Sequence, residues 1–147
     1  MAQTLLEKAL VLIEQGENSA VEFKDSAVRK ESLAKEIVAF SNSFGGSILI
    51  GVDDEGNILG LTQEQQNKIE EWVMNVARNN VIPAISPQLS LLDIDGQSIC
   101  LIEVEKGKNK PYQTNDNMYL VRVGSTNRSA TQLELMRLFQ QSGFFHY

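Results

Sequence analysis

Residues 47–52, Ser-Ile-Leu-Ile-Gly-Val, limit the possible folds of this chain more than any other stretch. They follow the pair Gly45-Gly46 and precede the acidic turn 53–57. A half-exposed strand alternates apolar and polar residues, whereas a strand covered on both faces is apolar throughout. The run therefore predicts a central strand of a sheet that is packed by helices.

Four stretches repeat apolar residues at helical spacing. They predict helices over residues 3–15, 30–44, from Thr62 to about 76, and from Thr131 to about 140. Thr62 with Gln65, and Thr131 with Glu134, form the pattern of a capping box. In the second helix, one apolar face is formed by Leu33, Ile37, Phe40 and Phe44.

Shorter stretches have the alternation or apolar content of strands, over residues 20–24, 58–61, 89–94, 98–104 and 118–123. Asp95-Gly96 tolerates the positive φ angles of a tight turn and predicts an antiparallel hairpin. The order of the elements favours an α+β fold with a mixed, largely antiparallel sheet packed by helices. We expect one domain over residues 1–147, but the strand order cannot be read from the sequence.

Composition excludes several classes of protein. No apolar run approaches the roughly 20 residues of a membrane-spanning helix, and no leader pattern opens the chain, so we expect a cytoplasmic protein. The single cysteine, Cys100, excludes an internal disulfide and a multi-cysteine zinc site, and its apolar surroundings predict burial. The single histidine, His146, lies next to the C-terminal residue, which argues against histidine general-base catalysis.

The formal net charge of −6 means that any binding of phosphate must be local. Basic residues do cluster late in the chain, with Asp116 as the only acid between Lys106 and Arg128. The candidate nucleic-acid contacts are Lys106, Lys108, Lys110, Arg122, Ser125 and Arg128. Simple solvation of a surface loop explains the same residues equally well. Tyr112 and Tyr119 are candidates for base stacking, although Tyr119 shares a strand face with apolar residues.

Three ordered stretches resemble one family. They are Val21-Glu22-Phe23-Lys24, residues 39–54 (AFSNSFGGSILIGVDD), and Pro111 followed by residues 119–125 (YLVRVGS). Together they resemble the Schlafen-type AlbA-like domain over about residues 17–130. The resemblance implies an α/β fold that binds RNA or DNA.

In nuclease members of that family, three carboxylates form a metal-dependent RNA-cutting site. The resemblance assigns these positions to Glu17, Glu22 and Asp53. Carboxylates suit Mg²⁺ or Mn²⁺ because hard cations prefer oxygen ligands. Strand parity places Lys24 beside Glu22, where an ammonium would hold a phosphate. In the alternative interpretation, Glu22 and Lys24 only solvate an edge strand, and Asp53 is a turn residue.

Family nucleases have two related lobes, and this chain is long enough for one, so we expect a homodimer to complete a groove. A non-catalytic DNA-binding transcriptional regulator, or an oligomerisation module, is the alternative to the endoribonuclease. No ATP site is recognised, because Gly45-Gly46 is not followed by the lysine and hydroxyl residue of a phosphate loop.

Overall fold

The computed structural model of the chain describes residues 3–142. Its helices are α1 (Leu5–Gln15), α2 (Lys30–Asn42), α3 (Gln63–Asn79) and α4 (Gln132–Gln141). Its strands are β1 (Val21–Lys24), β2 (Gly46–Ile50), β3 (Val81–Ile82), β4 (Gln88–Ile94), β5 (Gln97–Val104), β6 (Gln113–Thr114), β7 (Leu120–Val123) and β8 (Thr126–Ser129). His146 lies outside the described residues.

The main sheet has the strand order β1-β2-β5-β4. Strand β2 pairs in parallel with β1 and antiparallel with β5, and β4 and β5 form the hairpin around Asp95-Gly96. Asp95 and Gly96 have φ angles of 51° and 84°, as the tight turn requires. The α+β class, the mixed and largely antiparallel sheet and the interior position of residues 47–50 are confirmed.

The core has two parts, one on each face of this sheet. Ile48 and Ile50 of β2 point into the larger part, which α2 and α3 cover. Leu49 points to the opposite face, where it joins Phe23 of β1 and Ala9 of α1. Both faces of β2 are therefore buried, which explains why its sequence does not alternate.

Several predicted boundaries differ from the structure. Residues 58–61 form only an isolated bridge between Ile58 and Val52. The predicted strand 118–123 pairs as β7 with β8, a strand that was not predicted, in a separate small sheet. Helix α2 ends at Asn42 rather than near Phe44. Within residues 3–142, no helix is long and apolar enough to cross a membrane.

Candidate nucleic-acid interface

Two glutamates and two cations form a buried ion cluster, defined by Glu22, Lys24, Glu36 and Arg122. The Arg122 Nη1 atom donates to Glu22 Oε1 at 2.9 Å and to Glu36 Oε2 at 3.1 Å. Lys24 Nζ lies 3.2 Å from Glu36 Oε1 and 3.9 Å from Glu22 Oε2. The cluster thus joins β1, α2 and β7 under the edge of the main sheet.

The Arg122 guanidinium is directed inward. Its side chain is only 1% exposed, and Nη2 donates to the carbonyl oxygens of Asn18 and Val21. The guanidinium carbon also lies 4.9 Å from the centroid of the Phe40 ring. In this arrangement Arg122 holds elements together. Its Nε donor has no partner but is buried, so any contribution of Arg122 to phosphate binding is indirect.

Glu22 is strongly perturbed by its surroundings. Burial, a side-chain hydrogen bond with Glu17 and the negative charge of Glu36 raise the pKa of Glu22 to about 8. The Arg122 hydrogen bond and the Lys24 charge act in the opposite direction without cancelling them. The alternative that Glu22 merely solvates an exposed strand face is wrong, because the residue is 8% exposed.

Asp53 is committed to its own turn. Its carboxylate accepts from the backbone N–H groups of Asn57 and Glu55, at 2.8 and 3.0 Å, and from the Asn57 amide. These bonds, led by that from the Asn57 backbone, lower the pKa of Asp53. Asp53 is thus a turn residue: β2 ends at Ile50, and Gly51, with a φ of 105°, has already left the strand conformation.

The three carboxylates assigned by the family pattern do not assemble a metal site here. Glu17 and Glu22 are adjacent, and Glu17 also accepts from the Phe23 N–H at 3.3 Å. Among residues 3–142, no group of three or more histidine, cysteine, aspartate or glutamate side chains is arranged to hold a metal ion. With Glu22 bound to Arg122 and Asp53 bound to its turn, these residues do not fit Mg²⁺ or Mn²⁺ in this arrangement.

Some of the predicted basic residues are exposed, and others are hydrogen-bonded within the chain. Lys106 and Lys108 are exposed, as is Ser125 in the turn between β7 and β8. Lys110 is buried and donates to Gln141 Oε1 at 3.0 Å, and burial, followed by the Lys106 charge, lowers its pKa. Arg128 forms two hydrogen bonds of 2.7 Å with the Glu134 carboxylate.

Phe44 is the feature of this face that sequence reasoning missed. Its periodic spacing placed it in the core, yet the residue is 89% exposed and Lys106 Nζ lies 5.5 Å from its ring centroid. The cause is local: α2 ends at Asn42, and Gly45, with a φ of 80°, turns the chain into β2. A phenylalanine directly before a double glycine was the available signal.

Phe44 borders a cavity of about 250 Å³ between the end of α2, β7 and α4. Four cations line it, namely Lys106, Lys110, Arg137 and Arg122, of which Arg122 is already paired with carboxylates of the buried ion cluster. The lining has one carboxylate, Glu134, which Arg128 already binds. We call Phe44, Lys106, Lys110 and Arg137 the Phe44 platform. It combines an exposed ring with local positive charge on a chain that is acidic overall.

Asn42 fixes the geometry beneath the platform. Its amide nitrogen donates to the carbonyl oxygens of Tyr112 and Leu120, both at 2.8 Å, and its oxygen accepts from the Tyr112 N–H at 2.7 Å. Tyr112 is buried, so its ring is not available for stacking. Cys100 is buried as expected, and burial raises the pKa of its thiol to about 12.

Comparison with known families identifies the family of this chain. The model of the family described as "Schlafen, AlbA_2" matches residues 17–131, which is most of the chain. The chain belongs to the Schlafen AlbA_2 family. The matched part of this AlbA_2 domain contains the whole buried ion cluster and all of the Phe44 platform except Arg137. No protein of curated function matches the sequence.

Two solved structures share the AlbA_2 fold. The DIP2311 protein from Corynebacterium diphtheriae superposes with a TM-score of 0.67 and 22% identity over 95% of this chain, which spans only 29% of that protein. The N-terminal domain of a protein from Nitrosomonas europaea, named as related to the ATP-dependent DNA helicase RecG, gives 0.64 and 21%. That match covers 84% of this chain and 93% of that domain. At these identities the likeness concerns the fold alone.

Proposed function

We propose that this AlbA_2 domain binds single-stranded nucleic acid at the Phe44 platform. The observation that carries the proposal is the 89% exposed Phe44 ring beside the Lys106 ammonium. An exposed ring offers a stacking surface for a base, and neighbouring cations attract the phosphates on either side of it. Membership of the AlbA_2 family supports nucleic acid as the partner.

The exposed Phe44 ring also has a cost that binding would offset. A large apolar side chain in water contributes nothing to the core, and burial against a base removes its surface from solvent. The platform is open to unpaired bases, whereas the bases of a duplex are stacked on one another and present only their edges. We therefore expect single strands to bind more tightly than duplexes of the same sequence.

Fluorescence anisotropy with labelled single-stranded RNA and DNA tests the proposal. Phe44→Ala should weaken binding about tenfold, since base stacking on an aromatic side chain is worth about 1–3 kcal/mol. Folding should not change, because the ring makes little contact with the core. Leu59→Ala is the matched control, since Leu59 is another exposed apolar residue, 53% accessible and outside the platform.

Charge reversal at the platform provides a second arm. Lys106→Glu should weaken binding at low salt, whereas Arg78→Glu changes the net charge equally on an exposed residue of α3 and should not. The proposal is overturned if neither strand binds at low salt, or if both Phe44→Ala and Lys106→Glu bind as the parent does.

A metal-dependent endoribonuclease is the competing proposal, favoured by the adjacent Glu17 and Glu22 carboxyl groups and by Lys24, whose Nζ lies 3.9 Å from Glu22. Against it, Asp53 is bound to its turn and Glu22 to Arg122. We therefore expect structured RNA incubated with Mn²⁺ or Mg²⁺ to remain intact. Cleavage that Glu22→Gln abolishes would establish the nuclease instead.

A further inference from the structure

A cavity of about 580 Å³ lies on another part of the molecule, between residues 26–31 and the first half of α3. Its apolar lining includes Val28, Leu61, Ile69 and Trp72. Leu61 and Ile69 belong to the larger core, and Val28 and Trp72 pack against it. The base of the cavity is thus held by the core, and its volume falls in the range of sites for small molecules.

Helical spacing explains how α3 supplies one wall. Glu64, Lys68 and Trp72 follow one another at intervals of four residues, so they lie on the same face of the helix. The capping box of Thr62 and Gln65 fixes where that face begins. Trp72 is half-buried on this face, whereas Glu64 and Lys68 are exposed.

Some charged residues of the lining form ion pairs and others do not. Lys68 Nζ pairs with Glu64 Oε1 at 3.1 Å, and both side chains are largely exposed. Arg29 and Lys30 are also exposed, and among residues 3–142 no carboxylate lies within ion-pair distance of either. Two cations free of carboxylate partners thus stand beside an apolar, tryptophan-containing cavity.

We propose that this cavity binds a nucleobase together with its adjoining phosphate. The apolar lining and Trp72 suit the flat ring of a base, and Arg29 and Lys30 suit the phosphate. The base has two possible sources, a free nucleotide or an unpaired position in a bound strand. For the second source, the inference rests on the proposed nucleic-acid binding.

The cavity and the Phe44 platform can be tested separately because α2 separates them. Arg29 and Lys30 lie at the start of α2, and Phe44 follows its end. A helix of 13 residues is about 20 Å long. A substitution at one site therefore makes no direct contact with the other.

Trp72 is the only tryptophan in the chain, so its fluorescence reports directly on this cavity. The emission is followed while the intact protein is titrated with AMP, with CMP, with short single-stranded oligonucleotides and with inorganic phosphate. We expect saturable quenching by the nucleotides or the oligonucleotides, but not by phosphate alone. Quenching by mononucleotides identifies a free nucleotide as a sufficient ligand, and quenching by oligonucleotides only identifies a base in a strand.

Charge-reversed variants separate binding in the cavity from a distant effect on the indole. Arg29→Glu combined with Lys30→Glu should weaken the quenching ligand at least about tenfold, because both residues are replaced by groups that repel phosphate. Arg78→Glu, on the same helix as Trp72 and outside the cavity, should titrate as the parent does. Phe44→Ala should leave any quenching by mononucleotides unchanged.

The inference is overturned if no nucleotide or oligonucleotide changes Trp72 emission while a labelled strand still binds by anisotropy. That result would leave the proposed function intact. It is equally overturned if the Arg29→Glu, Lys30→Glu protein is quenched with the affinity of the parent. Loss of all strand binding with mononucleotide quenching retained would instead remove the proposed function and keep the cavity.

Discussion

Burial removes water from the Glu22 carboxylate, and the neighbouring cations do not compensate for this loss of hydration. Arg122 and Lys24 both favour the ionised form, yet the pKa rises to about 8 because burial, Glu17 and Glu36 oppose it more strongly. In the unfolded chain the same group has its ordinary pKa of 4.5. Between these two values the folded chain binds more protons than the unfolded chain, so stability falls as pH rises.

This difference predicts an unusual pH dependence of unfolding. The contribution from Glu22 is fully present below about pH 4.5 and is lost as pH rises through about 8. Urea unfolding should show stability decreasing over this range, by at most about 1.4 kcal/mol per pH unit. Glu22→Gln, which fixes an uncharged side chain at this position, should flatten the slope.

Two comparisons make the pH experiment specific. Glu71→Gln removes an exposed carboxylate from α3 and should retain the parental slope. Glu134, whose pKa the Arg128 hydrogen bond lowers to about 2, changes protonation below this range and does not interfere. A parental slope in Glu22→Gln would show that another group carries the effect.

Helix starts and the hairpin turn were predicted correctly, because each is determined by residues that are close together in the sequence. Both capping boxes form, Thr62 with Gln65 and Thr131 with Glu134, and the strands on either side of Asp95-Gly96 pair antiparallel as predicted. These features depend on neighbours within a few positions of the sequence. The sequence was sufficient for them because the interacting groups are local.

The parts of the site that depend on distant residues were not predictable. Arg122 turned out to be buried because it meets Glu36 and Glu22, 86 and 100 positions earlier in the chain. No local pattern distinguishes such an arginine from one that faces solvent. Phe44 illustrates the opposite failure, since the apolar helical spacing continues to Phe44 although α2 already ends at Asn42.

The Gly45-Gly46 turn provides a test of packing at the junction of α2 and β2. A Cβ atom on Gly46 would lie 2.5 Å from the ring of Phe40, which is fully buried and covered by the Arg122 guanidinium. Gly46→Ala should therefore reduce the free energy of unfolding by about 1–3 kcal/mol. Urea denaturation measures the loss.

The cause of that loss can be separated from backbone strain. Gly96 has a φ of 84° with open space around it, so Gly96→Ala should cost about 1 kcal/mol through conformation alone. In a Phe40→Leu background the cost of Gly46→Ala should shrink, whereas that of Gly96→Ala should not. Equal costs of Gly46→Ala in both backgrounds would contradict the collision with Phe40.

The net negative charge of the whole molecule restricts where a nucleic-acid strand can bind. A net charge of −6 repels a strand everywhere except at local basic surfaces. Arg122 and Arg128 are already paired with carboxylates, which leaves Lys106, Lys108 and Arg137 as the exposed cations at or beside the Phe44 platform. The homodimer stays a prediction, which sedimentation will test. A second copy of the chain would double this small set of exposed cations.

That small set predicts a shallow salt dependence. Binding of a single strand releases roughly 0.7 counterions per phosphate contact. With three contacts, a plot of log affinity against log salt concentration should have a slope of about −2. Lys106→Gln should make the slope shallower by about 0.7, and Arg78→Gln should leave it unchanged. Anisotropy titrations over a series of salt concentrations measure both slopes. A much steeper slope would require cations contributed from elsewhere, and an unchanged slope in Lys106→Gln would remove Lys106 from the interface.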